Sequence, residues 1–411
     1  MVPKAVLLLA GVYVARRFGH EAFARYSLAA VTLTLAGTLV GSTLSAVASK
    51  HVPEFARGDA AATGTGFAAV ALLALMLAAT LGAGIFVAAP ALSALFGTSP
   101  PITDLLRVTG FAVAGSIAGG ALQGLLTGST RFRDAAIVNL MAAMAFGATI
   151  GPLARIADGA GVLAALAVFY AVASIATMIA VGRPLRADWA AANRAIRSRV
   201  SRLWRYFVPM IVATGTVTPV VWLCNLLLAR GAHGPIEVAR FGAAYNWFAV
   251  VSAVPAVLAQ VEFVRMARSR ATGDVKGLAR GYRLFTLQNF AFVAPIVAIG
   301  IAAAGPMGDL FRLDGPSTRN CIRVLLASAL MASLGNPAGM FLAVIDRIWI
   351  ASLLNIGWAC IVLTLGWILR QSGASGIAVA FLIAYSTHFV VATTIARRML
   401  ARPGSIRPAE V

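Results

Sequence analysis

The chain has 411 residues, of which 60% are hydrophobic and only 12% are charged. Soluble domains carry roughly a quarter charged residues, so the composition excludes an ordinary water-soluble fold. The formal net charge of +20 would suit a nucleic-acid-binding protein, but the basic residues stand in short clusters between long apolar runs. That arrangement is typical of membrane proteins with basic cytoplasmic loops, and no nucleic-acid partner is expected.

Apolar runs separated by loop residues predict twelve transmembrane helices, since about 20 apolar residues cross a hydrocarbon core of roughly 30 Å. In chain order, the predicted spans are 1–16, 26–48, 64–90, 105–127, 134–155, 161–182, 206–229, 241–262, 284–305, 321–345, 348–369 and 376–396. Short loops connect them, except for two basic segments at 182–205 and 265–283. The sequence therefore predicts an all-α polytopic membrane protein.

The basic residues also predict the orientation in the membrane. When the N-terminus is placed inside the cell, most of the 34 lysines and arginines fall on the cytoplasmic side, as the positive-inside rule requires. We therefore expect a multi-pass protein of the cytoplasmic (inner) membrane, surrounded by the lipid bilayer, with both termini in the cytoplasm.

An internal repeat divides the chain. The phrase FARYSLAAVTL at 23–33 returns as VARFGAAYNWF at 238–248. An offset of 215 residues pairs Arg25 with Arg240, and an offset of 216 pairs Arg131 with Arg347. The offset returns to 215 further on. Arginine, asparagine, aspartate and tyrosine all recur at these offsets, in a chain that is mostly apolar, so the coincidences indicate a duplication.

The repeat predicts two six-helix bundles, at 1–182 and 206–411, joined by a basic cytoplasmic linker at 183–205. An even number of spans per half makes the repeats parallel, and transporters place substrates between such halves and work by alternating access. A duplicated scaffold without transport activity is the alternative. Met1 aligns with Thr216, after the expected start of span seven, so the first helix is short or its true start lies upstream.

Several kinds of chemistry are not expected. No G-x-x-x-x-G-K-[ST] loop for ATP is present, and the three cysteines form no C-x-x-C pair, so we predict no enzyme activity, no cofactor and no metal. The acids Glu262, Asp309 and Asp346 stand toward span ends, and none occupies the middle of a predicted span. An ion-driven exporter of cationic drugs usually needs such an acid, which counts against that activity.

Four arginines are candidate substrate contacts. Arg25 and Arg240 head spans two and eight at matching positions on the side opposite the cytoplasm, where guanidinium groups could bind a diphosphate through paired hydrogen bonds. Arg131 and Arg347 repeat the arrangement at the cytoplasmic end. Alternatively, Arg25 and Arg240 only anchor their helices at the membrane interface. Arg131 and Arg347 could likewise be basic loop residues of the kind that the positive-inside rule places in the cytoplasm.

Amide side chains within the spans are further candidates: Asn225, Asn246 and Gln260. Asn246 and Gln260 are fourteen residues apart, about four helical turns, so a continuous helix would place them on one face. There they could hydrogen-bond sugar hydroxyls, or they could bond neighbouring helices. Small-residue motifs such as Gly37-x-x-x-Gly41, Gly120-x-x-x-Gly124 and Gly147-x-x-x-Gly151 predict close helix contacts.

The opening RRFGHEAFARYSLAAVTLTLAGTLVGSTLSAVASKHVPEF resembles the first loop and second helix of polysaccharide or O-antigen flippases of the multidrug/oligosaccharidyl-lipid/polysaccharide exporter superfamily. The resemblance implies a MATE-like fold and a polyprenyl-diphosphate-linked oligosaccharide as substrate, with glycan polymerases or assembly proteins as further partners. In that interpretation, Arg25 and Arg240 bind the diphosphate in a cleft between the halves, and the amides meet the sugars. A small-molecule exporter of the same fold and a non-transporting scaffold for glycan assembly remain alternatives.

Overall fold

The computed structural model describes residues 2–55, 60–181, 189–231 and 233–401, and all regular secondary structure in these ranges is helical. The helices are α1 (Val2–Leu33), α2 (Leu39–Phe55), α3 (Ala60–Phe96), α4 (Thr103–Gly128), α5 (Phe132–Val181), α6 (Trp189–Thr214), α7 (Val217–Ala229), α8 (Gly234–Val251), α9 (Ala253–Ala271), α10 (Val275–Ala302), α11 (Ala304–Asp309), α12 (Pro316–Val344), α13 (Ile348–Ile368) and α14 (Gly373–Leu400). A π-helical segment (Thr34–Thr38) joins α1 to α2.

Nine helical segments in the described part of the chain are long and apolar enough to cross a membrane. Two of them, Val2–Val52 and Phe132–Val181, have 51 and 50 residues, which at about 1.5 Å per residue is twice the length that one crossing needs. Each is broken, the first at Gly19 (φ 86°) and the second at Asp158 (φ 47°). With each broken segment counted as two crossings and the shorter apolar α7 added, the predicted twelve spans are accounted for.

Several predicted boundaries are wrong. The described part of the linker predicted at 183–205 is helical, because α6 runs from Trp189 through to Thr214 and ends inside predicted span seven. The predicted loop 265–283 is reduced to a turn between α9 and α10. A helix satisfies its own backbone hydrogen bonds, so charged residues need not end it where the membrane ends. Gly215 and Gly273 stand in the turns that follow α6 and α9.

The described residues form two compact units. The N-terminal unit contains Leu9–Trp222, and the C-terminal unit runs from Leu223 onward together with Pro3–Leu8. In the N-terminal unit, α4 is the central helix and packs against α2, α3 and α5. In the C-terminal unit, α12 holds the corresponding place and packs against α8, α10 and α14.

Matching turns confirm the predicted register of the repeat. Left-handed residues occur in pairs at Gly97 and Arg312, at Thr130 and Asp346, and at Asp158 and Gly373. The separations are 215, 216 and 215 residues, the shift and its reversal that the sequence predicts. The same capping bonds recur, since the amide of Arg131 donates to the Leu126 carbonyl at 2.9 Å and that of Arg347 to the Leu342 carbonyl at 2.8 Å.

Close helix contacts within the N-terminal unit depend on glycine. A Cβ atom at Gly120 would lie 2.6 Å from the carbonyl oxygen of Gly41, and one at Gly124 would lie 2.4 Å from that of Ser45. These contacts confirm the packing role predicted for this motif, because a side chain would force the backbones apart. The prediction for Gly147 and Gly151 is wrong, since a Cβ atom at either would meet nothing within 4 Å.

Candidate functional site

Of the pair Arg25 and Arg240, Arg25 is the arginine whose side chain has no partner among the described residues. It lies on α1 between Ala24 and Tyr26, both of which are 2% exposed, while Arg25 itself is half-buried. Neither a hydrogen bond nor an ion pair joins its guanidinium group to any other described residue. The buried neighbours fix the backbone here, so the arginine offers unused donors from a firmly held position.

Arg240, its counterpart in the C-terminal unit, is already paired. It lies on α8 and forms an ion pair with Glu237, one turn earlier on the same helix. The two side chains are only 24% and 15% exposed. The second carboxylate oxygen of Glu237 accepts a hydrogen bond from the backbone amide of Ala374 at 2.6 Å, so the pair also binds the first turn of α14.

The N-terminal end of α14 packs around the Glu237 carboxylate. Gly373 has φ +60°, and a Cβ atom there would lie 2.3 Å from Oε2 of Glu237. The thiol of Cys321, which is fully buried on α12, lies 3.6 Å from the Ala374 carbonyl oxygen. Sequence reasoning missed Glu237 because it placed the start of span eight at 241. The equivalent residue in the first repeat is Ala22, so this anchor belongs to the second half alone.

The amide candidates occupy different environments. Asn225 is buried on α7, with 3% exposure, and Asn246 is half-buried on α8. The side chain of Gln260 lies outside the described ones. A single residue, Ser252, separates α8 from α9, and it keeps right-handed helical dihedral angles. A common face for Asn246 and Gln260 stays a prediction.

Other membrane-embedded amides bond neighbouring helices. The side-chain amide of Gln123 on α4 donates to Asn139 on α5 at 3.0 Å, and that of the fully buried Asn289 on α10 donates to the Ser333 carbonyl at 3.1 Å. Such bonds between helices contribute roughly 0.6 kcal/mol each in membranes. Hydrogen bonding between helices therefore accounts for the amide groups of Gln123 and Asn289.

Arg131 and Arg347 differ although the turns that hold them match. Arg131 pairs with Asp134 at 2.6 Å and donates to the carbonyl of Ala180, near the end of α5, at 2.9 Å. The side chain of Arg347 is exposed and bonds to no described residue. In the C-terminal unit, Arg270 on α9 bonds the Val344 carbonyl and pairs with Asp346, the residue before Arg347, at 2.7 Å.

A groove in the C-terminal unit was not predicted from the sequence. It has a volume of about 710 Å³ and lies between α10, α12 and α14. Its lining includes Arg283 and Arg397 toward the helix ends and, about two turns further in, the apolar side chains Phe290 and Phe389. The groove thus combines two cations with an apolar wall. The arginines could have been noticed as the basic residues directly next to predicted spans nine and twelve, Arg283 before 284–305 and Arg397 after 376–396.

Among the described residues, no group of three or more histidine, cysteine, aspartate or glutamate side chains could hold a metal ion. The arrangement found instead is one of isolated arginines, amides and an amphipathic groove. Such groups can bind an anionic head group or sugar hydroxyls by hydrogen bonding.

Comparison with known proteins places this geometry in a transporter fold. No protein-family model matches the chain. It is 25% identical over 410 residues to the EPS I polysaccharide export inner membrane protein EpsE of Ralstonia nicotianae, covering 93% of this chain and 87% of the relative. A protein of the same name from Ralstonia solanacearum is 21% identical with the same coverage.

Solved structures agree on the fold. An inward-facing multidrug resistance MATE family transporter of the MOP superfamily superposes with a TM-score of 0.78 at 15% identity, covering 98% of this chain and 95% of that one. The eukaryotic MATE transporter AtDTX14 gives a TM-score of 0.72 at 13% identity, covering 98% and 95%. The chain is therefore a multi-pass membrane protein with the MATE fold, similar over nearly its whole length to polysaccharide export inner membrane proteins.

Proposed function

We propose that the chain moves a lipid-linked oligosaccharide, a precursor of polysaccharide, from the inner to the outer leaflet of the inner membrane by alternating access. The observation that carries the proposal is the similarity over 93% of the chain to proteins named for polysaccharide export, on a MATE fold. The polyprenyl-diphosphate linkage follows from the family resemblance of the opening segment. We further propose cytoplasmic termini, in keeping with the basic residues of the loops, and functional contact with polysaccharide polymerases.

The groove of the C-terminal unit supports a lipid-bearing substrate. A free sugar would need polar groups along the whole pocket, whereas Phe290 and Phe389 offer an apolar wall beside Arg283 and Arg397. A molecule with an anionic head and a hydrocarbon tail satisfies both parts at once, because its tail avoids water while its phosphate pairs with guanidinium groups.

Arg25 is the residue that we propose as the principal contact for the diphosphate, because its donors are unused by the described residues. Arg240 remains a proposed contact through the guanidinium hydrogens that Glu237 does not take. Asn225, Asn246 and Gln260 are proposed to meet sugar hydroxyls. Arg131 and Arg347 are proposed as weaker contacts for the head group at the opposite ends of the spans.

Complementation of surface polysaccharide tests the proposal. In a strain that lacks its own export gene, Arg25→Ala should lower surface polysaccharide at least about tenfold at equal protein level, since a lost charge-assisted hydrogen bond is worth roughly 1.5–3 kcal/mol. Arg25→Lys should restore it in part, because lysine keeps the charge but cannot form paired bonds.

Arg107→Ala is the matched control. Arg107 is an arginine of the same unit whose exposed ion pair with Asp104, at 3.3 Å, should contribute little. If Arg25→Ala exports normally, Arg25 is an interfacial anchor only. If the unaltered chain confers drug resistance and never restores polysaccharide, the small-molecule exporter is the correct alternative.

A further inference from the structure

A second cavity lies in the N-terminal unit, where the end of α2 meets α6. It has a volume of about 520 Å³ and is lined by His51, Arg202, Arg205 and Tyr206. Lys50 adjoins it, with its ammonium group 4.4 Å from the centre of the Tyr206 ring. We call these five residues the α2–α6 pocket. None of them figures in the proposed transport contacts.

The pocket carries an excess of positive charge. Helix α6 contains no acidic residue, and neither Arg202 nor Arg205 is paired with a described residue. The two are three residues apart on one helix, so their like charges face each other and repel. At the matching place in the C-terminal unit, Arg265 lies 3.5 Å from the carboxylate of Glu262, whereas Lys50 lies against an aromatic ring. Among the described residues no carboxylate lines the cavity, so an external anion would relieve the repulsion between the arginines.

The residues around the pocket have the character of a membrane–water interface. Helix α6 buries Ile196, Leu203 and Phe207 along one stripe, as a helix does when it packs by one face. Its Trp204 and Tyr206 are 45% and 46% exposed. Half-exposed tryptophan and tyrosine next to arginine are typical of the membrane–water interface, and basic pockets between membrane helices are suited to anionic head groups.

We propose that the α2–α6 pocket binds the phosphate of a lipid head group. Arg202 and Arg205 supply the charge-assisted hydrogen bonds, Lys50 adds a third cation held by the Tyr206 ring, and the acyl or isoprenyl chains stay in the bilayer. The shared chemistry is a phosphate on a membrane lipid, and its two sources are an anionic phospholipid and the diphosphate of a lipid-linked glycan. The proposal does not depend on which substrate the chain transports.

Native mass spectrometry of the purified full chain, titrated with phosphatidylglycerol, tests the site. Arg202→Ala combined with Arg205→Ala should weaken binding about tenfold or more, as expected for lost bonds to a charged group. Arg197→Ala removes one exposed arginine of the same helix that does not line the cavity, and it should bind like the parent. Arg202→Lys with Arg205→Lys should retain part of the affinity, which separates charge from misfolding.

Two comparisons identify the source of the phosphate. Phosphatidylcholine, whose head group is neutral overall, should bind weakly at every salt concentration. If farnesyl diphosphate competes with phosphatidylglycerol in the parent but not in the double alanine variant, the pocket accepts the diphosphate of a lipid-linked glycan. If it does not compete, the pocket is a phospholipid site. Phosphatidylglycerol binding that is equal in the parent, the double alanine variant and Arg197→Ala would overturn the proposal.

Discussion

Glu237→Ala should loosen the start of α14 without unfolding the protein. The carboxylate joins two elements, since it pairs with Arg240 on α8 and accepts the amide hydrogen of Ala374 at 2.6 Å. Its removal leaves a guanidinium group that is 24% exposed without its acid and a helix amide without its acceptor. Both effects act on the same contact between α8 and α14.

The magnitude follows from these two losses. A hydrogen bond to a charged group is worth roughly 1.5–3 kcal/mol, and breaking a fully buried pair costs about 3–5 kcal/mol. The partial exposure of both side chains places this case near the lower figure. A local cost of about 2 kcal/mol corresponds to an opening equilibrium about 30-fold more favourable, since roughly 1.4 kcal/mol is a factor of ten.

Thiol labelling of Cys321 measures the opening. The thiol is fully buried and lies 3.6 Å from the Ala374 carbonyl oxygen, so it reacts only when the start of α14 moves away. When α14 closes faster than the reagent reacts, the labelling rate of Cys321 is proportional to the fraction of molecules in which the start of α14 is open. Cys360→Ser removes the exposed thiol, and peptide mass spectrometry separates Cys321 from Cys224.

Two further variants test whether the Glu237 carboxylate causes the change in the labelling rate of Cys321. Glu237→Gln keeps an acceptor for the Ala374 amide but loses the charge, so its rate should fall between those of the parent and Glu237→Ala. Asp104→Ala breaks an acid–arginine pair of the same spacing whose side chains are exposed, and it should leave Cys321 unchanged. A Glu237→Ala rate within about twofold of the parent, less than roughly 0.5 kcal/mol, would refute the account of this anchor.

Three further predictions concern the repeat and the topology. Gly373→Ala should lower the midpoint of thermal unfolding more than Gly97→Ala. Both glycines have positive φ, but only a Cβ atom at Gly373 would collide with a neighbour. Equal shifts of the two midpoints would mean that backbone strain alone matters. Arg131→Ala should destabilise the chain by about 1 kcal/mol relative to Arg347→Ala, since only Arg131 bonds Asp134 and Ala180, and chemical denaturation measures the difference. A cysteine at the exposed Ser201 should react with an impermeant thiol reagent only after the cytoplasmic side is opened, and labelling of intact cells would reverse the predicted orientation.

The repeat was predictable from the sequence because several polar residues recur at nearly one offset. Arg131 matches Arg347 at an offset of 216 residues, and the turns that hold both have the same hydrogen bonds. The break at Asp158 (φ 47°) lies in the loop predicted between spans 134–155 and 161–182. The basic segment at 265–283 was harder to predict, because α9 and α10 continue through most of it as helices. Hydropathy reports burial in lipid and says little about local backbone geometry.

The partners of the candidate arginines could not be predicted. Arg25 and Arg240 occupy equivalent positions in the repeat, yet Glu237 precedes only the second, and its contact with Ala374 joins residues 137 apart in the chain. The groove beside Arg283 and Arg397 likewise depends on how α10 and α14 pack together. Such tertiary contacts do not follow from spacing along one helix, and only a structure reveals which arginines remain available to a ligand.

Reconstitution tests the central claim most directly. The purified chain is placed in vesicles that contain a polyprenyl-diphosphate-linked oligosaccharide, and a glycosidase added outside reports how much of the glycan is accessible. In protein-free vesicles, the glycan that faces the vesicle interior stays protected from the glycosidase. We predict that the parent chain makes this glycan accessible. With Arg25→Ala, it should become accessible at least about tenfold more slowly. A glycan that stays protected while the same vesicles transport a small organic cation would contradict the account.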